Sequence, residues 1–444
     1  MKKSQEKNEL GFRSMILLGI NAVIGSGIFL LPGTVSHLTG SWSIFVYLFV
    51  MVIVMSIGWC FAQCATLFNR NGGAYVYAKA AFGDFIGFEI GIMRWVIGIM
   101  AWASLIVGFI TALSCLWPTV LDEPYRTVLI FTILGGLSFL NIVGVQIFKY
   151  INNIVSLAKI LPLLIFVFFG LFSMKMTNFP SLNIQGLNKE AFGGAALVIF
   201  YAFGGFETLT VAAGEMKNPK KNLPIAVMLV ITFCSILYFV IQFISMGILG
   251  DQLSESKTPL ADVAQRIMGE EGKLFVTLAM LISIGGINLT ASFITPRSCV
   301  ALAEDGMIPK QLAYTGRFGT PTLSILLTAG TAGILAFCGS FSQLAVITVI
   351  SRFVQYISTC LAVIVLHKKM NPSKSLFQEW RFILIPSIAL LGIGWLILQA
   401  TPLQLLGGLS ALVIGIPFYF IQRSFRRIPR LSYPLSIEKS EVLL

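Results

Sequence analysis

Asn21-Ala-Val-Ile-Gly25-Ser-Gly-Ile-Phe-Leu-Leu-Pro32 lies in the middle of the first apolar run of the chain. From Ser14 to Ser36 the run holds 23 residues without a charge. At about 1.5 Å per residue, a helix of that length spans roughly 30 Å of bilayer hydrocarbon. A membrane crossing is therefore expected. Gly25 and Gly27 fall near its midpoint, where glycine lowers helix propensity and leaves main-chain amides and carbonyls without side-chain cover. The helix is expected to break there. Lipid cannot satisfy the polar groups a break sets free, so they must face protein, water or a ligand. The competing reading is close packing, since small residues also let membrane helices approach each other.

Composition sets the class. Hydrophobic residues make up 56% and charged residues 11%, and mean hydropathy is +0.87, far from a soluble domain with about a quarter charged residues. The chain reads as an all-α integral membrane protein. Its net charge of +12 is spread in short clusters between apolar segments and forms no basic domain, so these residues read as topology signals and no nucleic-acid partner is expected. The seven cysteines lie within or at the ends of apolar stretches and read as reduced core residues. Cys60 and Cys64 share a helix face, but no histidine lies near them, and neither a metal nor a cofactor is expected. The first run is too long for a secretory signal and is expected to stay as a helix.

Twelve apolar segments follow one another, at about 14–36, 42–67, 90–117, 127–147, 153–174, 191–212, 224–249, 273–302, 321–339, 343–366, 380–400 and 403–422. Of the 31 basic residues, 23 fall in the N-tail, the C-tail and the alternate loops that share their side, including Arg94 and Arg297. By the positive-inside rule, both termini are expected in the cytoplasm. Lys159 and Arg352 remain inside expected helices.

The sixth segment repeats the anomaly of the first. Phe200-Tyr-Ala-Phe-Gly204-Gly-Phe-Glu207 is interrupted by glycines near its middle, and Glu215-Met-Lys-Asn-Pro-Lys-Lys-Asn-Leu-Pro224 follows. If segments 1–5 and 6–10 are repeats of opposite orientation, segments 1 and 6 are equivalent, and matched breaks point to a substrate site near the midplane. A half-helix N-terminus suits a carboxylate, and a half-helix C-terminus suits an ammonium. Two opposed breaks therefore suit a zwitterion such as a free α-amino acid; a sugar has no need of them.

These residues also carry a resemblance. Gly25-Ser-Gly-Ile-Phe with Pro32-Gly33, Tyr201-Ala-Phe-Gly-Gly-Phe-Glu with its Lys-Asn-Pro-Lys-Lys-Asn-Leu-Pro224 tail, and Ala303-Glu-Asp-Gly-Met-Ile-Pro309 resemble the amino acid–polyamine–organocation permeases over nearly the whole chain. The resemblance implies a 5+5 inverted-repeat (LeuT-like) fold of twelve transmembrane helices. The N-tail would be 1–13, the repeats 14–174 and 191–366, helices 11 and 12 at 380–422, and the C-tail 423–444. It also implies that the substrate carboxylate meets the amides of Ser26 and Gly27 and the Ser26 hydroxyl, and that the ammonium meets carbonyls near Val23, Ile24, Tyr201 and Gly204. Phe206 resembles the aromatic that caps the pocket and closes the outer gate. Ordinary core packing is the other reading of Tyr201 and Phe206, and the preferred one for Phe203.

Lys159 lies about two turns into segment 5. It can snorkel to the interface or face the bundle, where desolvation disfavours the ammonium and a proton can be exchanged as access alternates. Similarity to proton-coupled members of the family favours the second, with carbonyls around Gly19 and hydroxyls of Thr290 or Ser292 as partners. Glu207 and Arg352 are costly alone in hydrocarbon and are expected to face the bundle, as a gate or a structural ion pair. The resulting expectation is a secondary transporter of neutral α-amino acids in the cell membrane, monomeric or homo-oligomeric, with a proton as the coupling ion. An antiporter of basic amino acids or polyamines is the alternative, to which the resemblance around Glu207 points. The same resemblance also counts against that alternative, since the exchangers it points to generally lack a lysine at the position of Lys159 and carry, where Ile287 stands here, an aromatic that stacks on a guanidinium. A membrane-embedded enzyme would need a nucleophile with its base or a metal cluster, and the segments hold neither. A channel or a nutrient sensor is a further rival.

Overall fold

The computed structural model describes residues 11–425, apart from 69–71, 144–146, 180–187, 212, 214, 215, 305, 307, 317 and 371–378. The Lys-Asn-Pro tail of segment 6 is described from Met216 onward; Glu215 and both chain tails beyond Gly11 and Phe425 lie outside the described residues.

Helix follows from the sequence over the long apolar runs, including those that carry Gly135-Gly136, Gly285-Gly286 and Gly407-Gly408. The first segment is divided: α1 (Phe12–Val23) ends at Ile24, whose φ −73° and ψ 99° are extended, and α2 (Ser26–Thr39) starts after Gly25. A short 3-10 turn leads into α3 (Ser43–Leu67), which is apolar on all sides. The small helix α4 (Ala74–Phe82) ends at Gly83, whose φ of 92° turns the chain into α5 (Asp84–Leu113). Then come α6 (Tyr125–Val143) and α7 (Ile147–Ser173). The sixth segment is divided into α8 (Lys189–Phe200), a 3-10 turn over Tyr201–Phe203, and the single turn α9 (Glu207–Val211). After it come α10 (Pro219–Leu249), α11 (Pro259–Glu304, kinked at Gly269), α12 (Thr322–Cys338), α13 (Phe341–Met370), α14 (Arg381–Leu398) and α15 (Pro402–Phe425).

Among the described residues, seven helical runs are long and apolar enough to cross a membrane, and four shorter apolar helices accompany them. All twelve expected segments fall on helix, but the breaks cut segments 1 and 6 into pieces of 12 and 14 and of 12 and 5 residues. Those pieces are shorter than a continuous crossing requires. Large apolar side chains point outward on many helices, with Phe172 at 78% and Leu391 at 75% exposure, as suits a surface solvated by lipid. Arg94 and Arg297, counted with the loops, instead lie inside α5 and α11.

At the centre, α5 packs against α4, α11, α12, α13 and α15, while α3 packs on α10 and α2 on α8. The two divided segments are thereby enclosed.

Candidate functional site

The two breaks touch. A β-carbon on Gly27 would stand 2.7 Å from the Ala202 Cα, and one on Gly205 would overlap the Ala22 carbonyl oxygen. Gly205 also has φ 118°, a backbone conformation that side chains resist. Only glycine at these two positions lets the main chain of one break lie on that of the other.

At the first break α2 begins without a side-chain cap, so the amides of its first turn have no partner from a capping residue. Ser26 there is fully buried, and among the described residues its hydroxyl makes no hydrogen bond. Gly25 is faced by Ile287, whose Cδ1 would lie 3.0 Å from a β-carbon, and Gly108 of α5 brings Ser26 and Phe341 together in the same way. The immediate surroundings of the uncapped helix end are thus a buried hydroxyl, Ile287 and Phe341.

The carbonyl end of α1 is occupied differently from expectation. The Lys159 ammonium, 1% exposed, donates to the carbonyl oxygens of Asn21 and Ile24, each at 3.2 Å. It does not reach the carbonyl of Gly19. Thr290 and Ser292 donate instead to Gly286 and Leu289 of their own helix. Val23, expected to offer its carbonyl to a ligand, accepts from the Tyr238 hydroxyl at 3.1 Å. At the second break the Tyr201 carbonyl accepts from the Gly204 amide at 3.1 Å.

Tyr201 and Phe206 leave the second break in different directions. The Tyr201 hydroxyl is 2.7 Å from Ser104 Oγ, and its ring meets Phe341 edge-on at 5.7 Å. Phe206 lies between Phe61, edge-on at 5.5 Å, and Tyr356, stacked at 5.7 Å. Phe61 in turn meets Tyr77 of α4, so Phe206 belongs to an aromatic cluster beside α4. The ring packed with Phe341 near Ser26 is that of Tyr201 and not Phe206. Phe203 packs edge-on against Tyr238 at 5.2 Å, within the core.

Glu207 and Arg352 form an ion pair, Oε1 to Nε at 3.6 Å. The other carboxylate oxygen accepts from the Gly205 amide at 2.9 Å and from the Tyr356 hydroxyl at 3.2 Å. The guanidinium lies over Gly204 so closely that a β-carbon there would coincide with it. The pair therefore ties α13 to the break itself, and Arg94 of α5 lies within electrostatic reach of the same carboxylate.

Sequence reasoning did not single out Ser104, Tyr238, Phe341 or Tyr356. Tyr356 alone carries a signal, standing one helical turn after Arg352 and hence on its face. Among the described residues no cluster of metal-ligating side chains occurs.

The profile of the amino acid permease family matches residues 10–415. The chain is 30% identical over 389 residues to a protein described as an uncharacterized transporter of Mycobacterium tuberculosis, covering 81% of this chain and 80% of that one. It is 26% identical to a serine/threonine exchanger of Bacillus subtilis, covering 93% and 96%. It is likewise 26% identical to a branched-chain amino acid permease of the same organism, covering 94% and 93%. With its profile matched almost end to end and both apolar segments divided at their glycines, the chain belongs to the amino acid permease family of the amino acid–polyamine–organocation superfamily.

Proposed function

We propose that the protein carries neutral α-amino acids across the cell membrane by alternating access, coupled to protons through Lys159. The single observation that carries this reading is the uncapped start of α2, with the buried, unbonded hydroxyl of Ser26 beside it. Free amides at a helix N-terminus and an orphan hydroxyl form a receptor for a carboxylate. The substrate ammonium lies against carbonyls of Val23, Ile24, Tyr201 and Gly204, each of which retains a second acceptor lone pair.

Neutral side chains suit the surroundings, because Ile287 and Phe341 stand next to the helix end. The Glu207 carboxylate is already matched by Arg352, so no free anion waits at the break for a basic substrate. The names of the two Bacillus relatives, a serine/threonine exchanger and a branched-chain permease, agree with a neutral substrate. Tyr201, bonded to Ser104 and packed on Phe341, takes the part of the lid over the site.

In the protonated state the Lys159 ammonium holds the end of α1 through Asn21 and Ile24. Loss of its proton weakens both bonds, and α1 is free to move against α7. Residues 14–174 and 191–366 then act as opposed five-helix repeats, with α14 and α15 outside them and both termini on the cytoplasmic side. Uptake of a panel of labelled amino acids into proteoliposomes, with and without an imposed pH gradient, tests the reading. Saturable uptake raised by an acid exterior and inhibited by neutral amino acids supports it. Competition by cationic amino acids alone overturns the substrate class, and indifference to the gradient overturns the coupling.

A further inference from the structure

Glu89 sits in the second turn of α5 and is 5% exposed, yet neither carboxyl oxygen has a hydrogen-bond partner among the described residues. Its carboxyl group lies against Gly415 of α15. The three atoms nearest to a β-carbon on that glycine would be Glu89 Oε2 at 2.6 Å, Oε1 at 3.0 Å and Cδ at 3.1 Å. The absent side chain at 415 therefore makes the recess that holds the acid.

No described cation forms a salt bridge with it. Lys79 of α4 pairs with Asp84 at 3.2 Å, and Arg352 of α13 pairs with Glu207. Arg297 of α11 donates to the Phe293 carbonyl, and Arg126 of α6 to the carbonyls of Ala336 and Gly339. On its own helix, Arg94 lies in the field of Glu207. Other titratable groups on the neighbouring elements also have partners elsewhere: Tyr77 of α4 packs on Phe61 and Phe68, Tyr356 of α13 donates to Glu207, His367 of α13 pairs with Glu379, and Lys369 of α13 donates to the carbonyls of Ala80 and Ala81. Tyr419 of α15 packs on Phe85 and Phe88, Cys299 of α11 accepts from the Ser324 hydroxyl, and Glu304 and His37 are exposed. An ionised carboxylate buried without a partner is far costlier than the neutral acid.

We propose that Glu89 is a proton-binding site at the interface of α5 and α15, distinct from Lys159 and independent of the transport reading. The carboxyl group carries its proton at neutral pH, and loss of that proton loosens α15 from α5. The ligand is the proton itself, since one carboxyl group facing a helix backbone supplies too few oxygens for a metal cation.

Carbon-13 spectra of the wild-type protein, labelled in glutamate carboxyl carbons and held in lipid nanodiscs, test this at neutral pH. One carboxyl resonance at the position of a protonated acid, lost in Glu89→Gln, is expected. If all glutamate resonances lie at the ionised position, the proposal is overturned. Should Glu89→Gln fail to fold, Gly415→Ala gives the second readout by pressing on the recess. A shift of the protonated resonance in that variant supports the site, and an unmoved one refutes it.

Discussion

Lys159 of α7 donates to the carbonyl oxygen of Ile24, the first residue beyond the end of α1, at 3.2 Å. A side chain that crosses to a helix end fixes where that helix stops, and its partner Asn21 O lies three residues before. Protonation of one buried amine and the shape of one break are thus joined by two hydrogen bonds.

Replacement of Lys159 by alanine removes both bonds together with the amine proposed to carry the proton. Accumulation against a gradient by Lys159→Ala is expected to fall at least about tenfold, which corresponds to about 1.4 kcal/mol, the scale of one hydrogen bond to a charged group. Exchange of labelled for unlabelled substrate at equal concentrations should persist, because the amides of Ser26 and Gly27 are untouched. Proton-driven accumulation equal to the wild type would show that Lys159 has no part in coupling.

Gly204 leaves the space that the Arg352 guanidinium fills. Gly204→Ala should lower stability by about 1–3 kcal/mol, the usual cost of overpacking a closed interior. Arg352→Ala should cost more, about 3–5 kcal/mol, since it strands the Glu207 carboxylate. Thermal unfolding of the two single variants and the double variant forms a cycle, and strong non-additivity is expected because the arginine that obstructs alanine in one variant is gone in the other. Strictly additive shifts would mean that the two groups do not share this space.

Gly27 and Ala202 bring the two breaks together. Gly27→Ala places its β-carbon 2.7 Å from the Ala202 Cα and should separate them. Substrate-dependent thermal stabilisation, a readout of binding that needs no transport, should be lost in Gly27→Ala and partly recovered in Gly27→Ala with Ala202→Gly. Full retention of ligand stabilisation in the single variant would place the ligand elsewhere.

Both breaks were legible because glycines interrupt segments 1 and 6 near their middles, at matching places in the two halves, whereas Gly135-Gly136 and Gly407-Gly408 stay inside helices; the resemblance added the family. Lys159 was legible as a buried group facing carbonyls of helix 1, but which carbonyls it meets was not, and the hydroxyls of Thr290 and Ser292 bond within their own helix instead. The rotation of α1 about its axis decides which carbonyls face α7, and packing sets that rotation after the sequence pattern has run out. The gate role of Phe206 came from the resemblance alone, and its neighbours Phe61 and Tyr356 were not legible, because the stretch from Gly204 to Glu207 has neither a helical nor a strand period to orient a side chain. Arg94 was counted with the loop although it falls four residues inside the segment begun at 90, and the turn at Gly83 puts it deeper still, since α5 starts at Asp84. Ser104 and Tyr238 have polar tips on apolar helices, and nothing in their neighbours distinguishes a tip that bonds across the bundle from one that is merely buried.

The bond between Tyr201 and Ser104, 2.7 Å long, closes the α8 break against α5, while the Tyr201 ring packs on Phe341. Tyr201→Phe keeps the ring and removes the hydroxyl, so the closed arrangement should weaken by about 1 kcal/mol, the net value of a neutral hydrogen bond, or roughly fivefold in its population. Ser104→Ala removes the other end of the same bond. Each single variant should raise the apparent Kd for substrate by that factor, and the double variant should raise it no further, because one bond can be lost only once. Tyr201→Ala removes the ring as well and should weaken binding more than any of these. Equal affinities of Tyr201→Phe and the wild type, measured by calorimetry on the purified protein, would separate the lid from this hydroxyl and leave ring packing alone to hold the site closed.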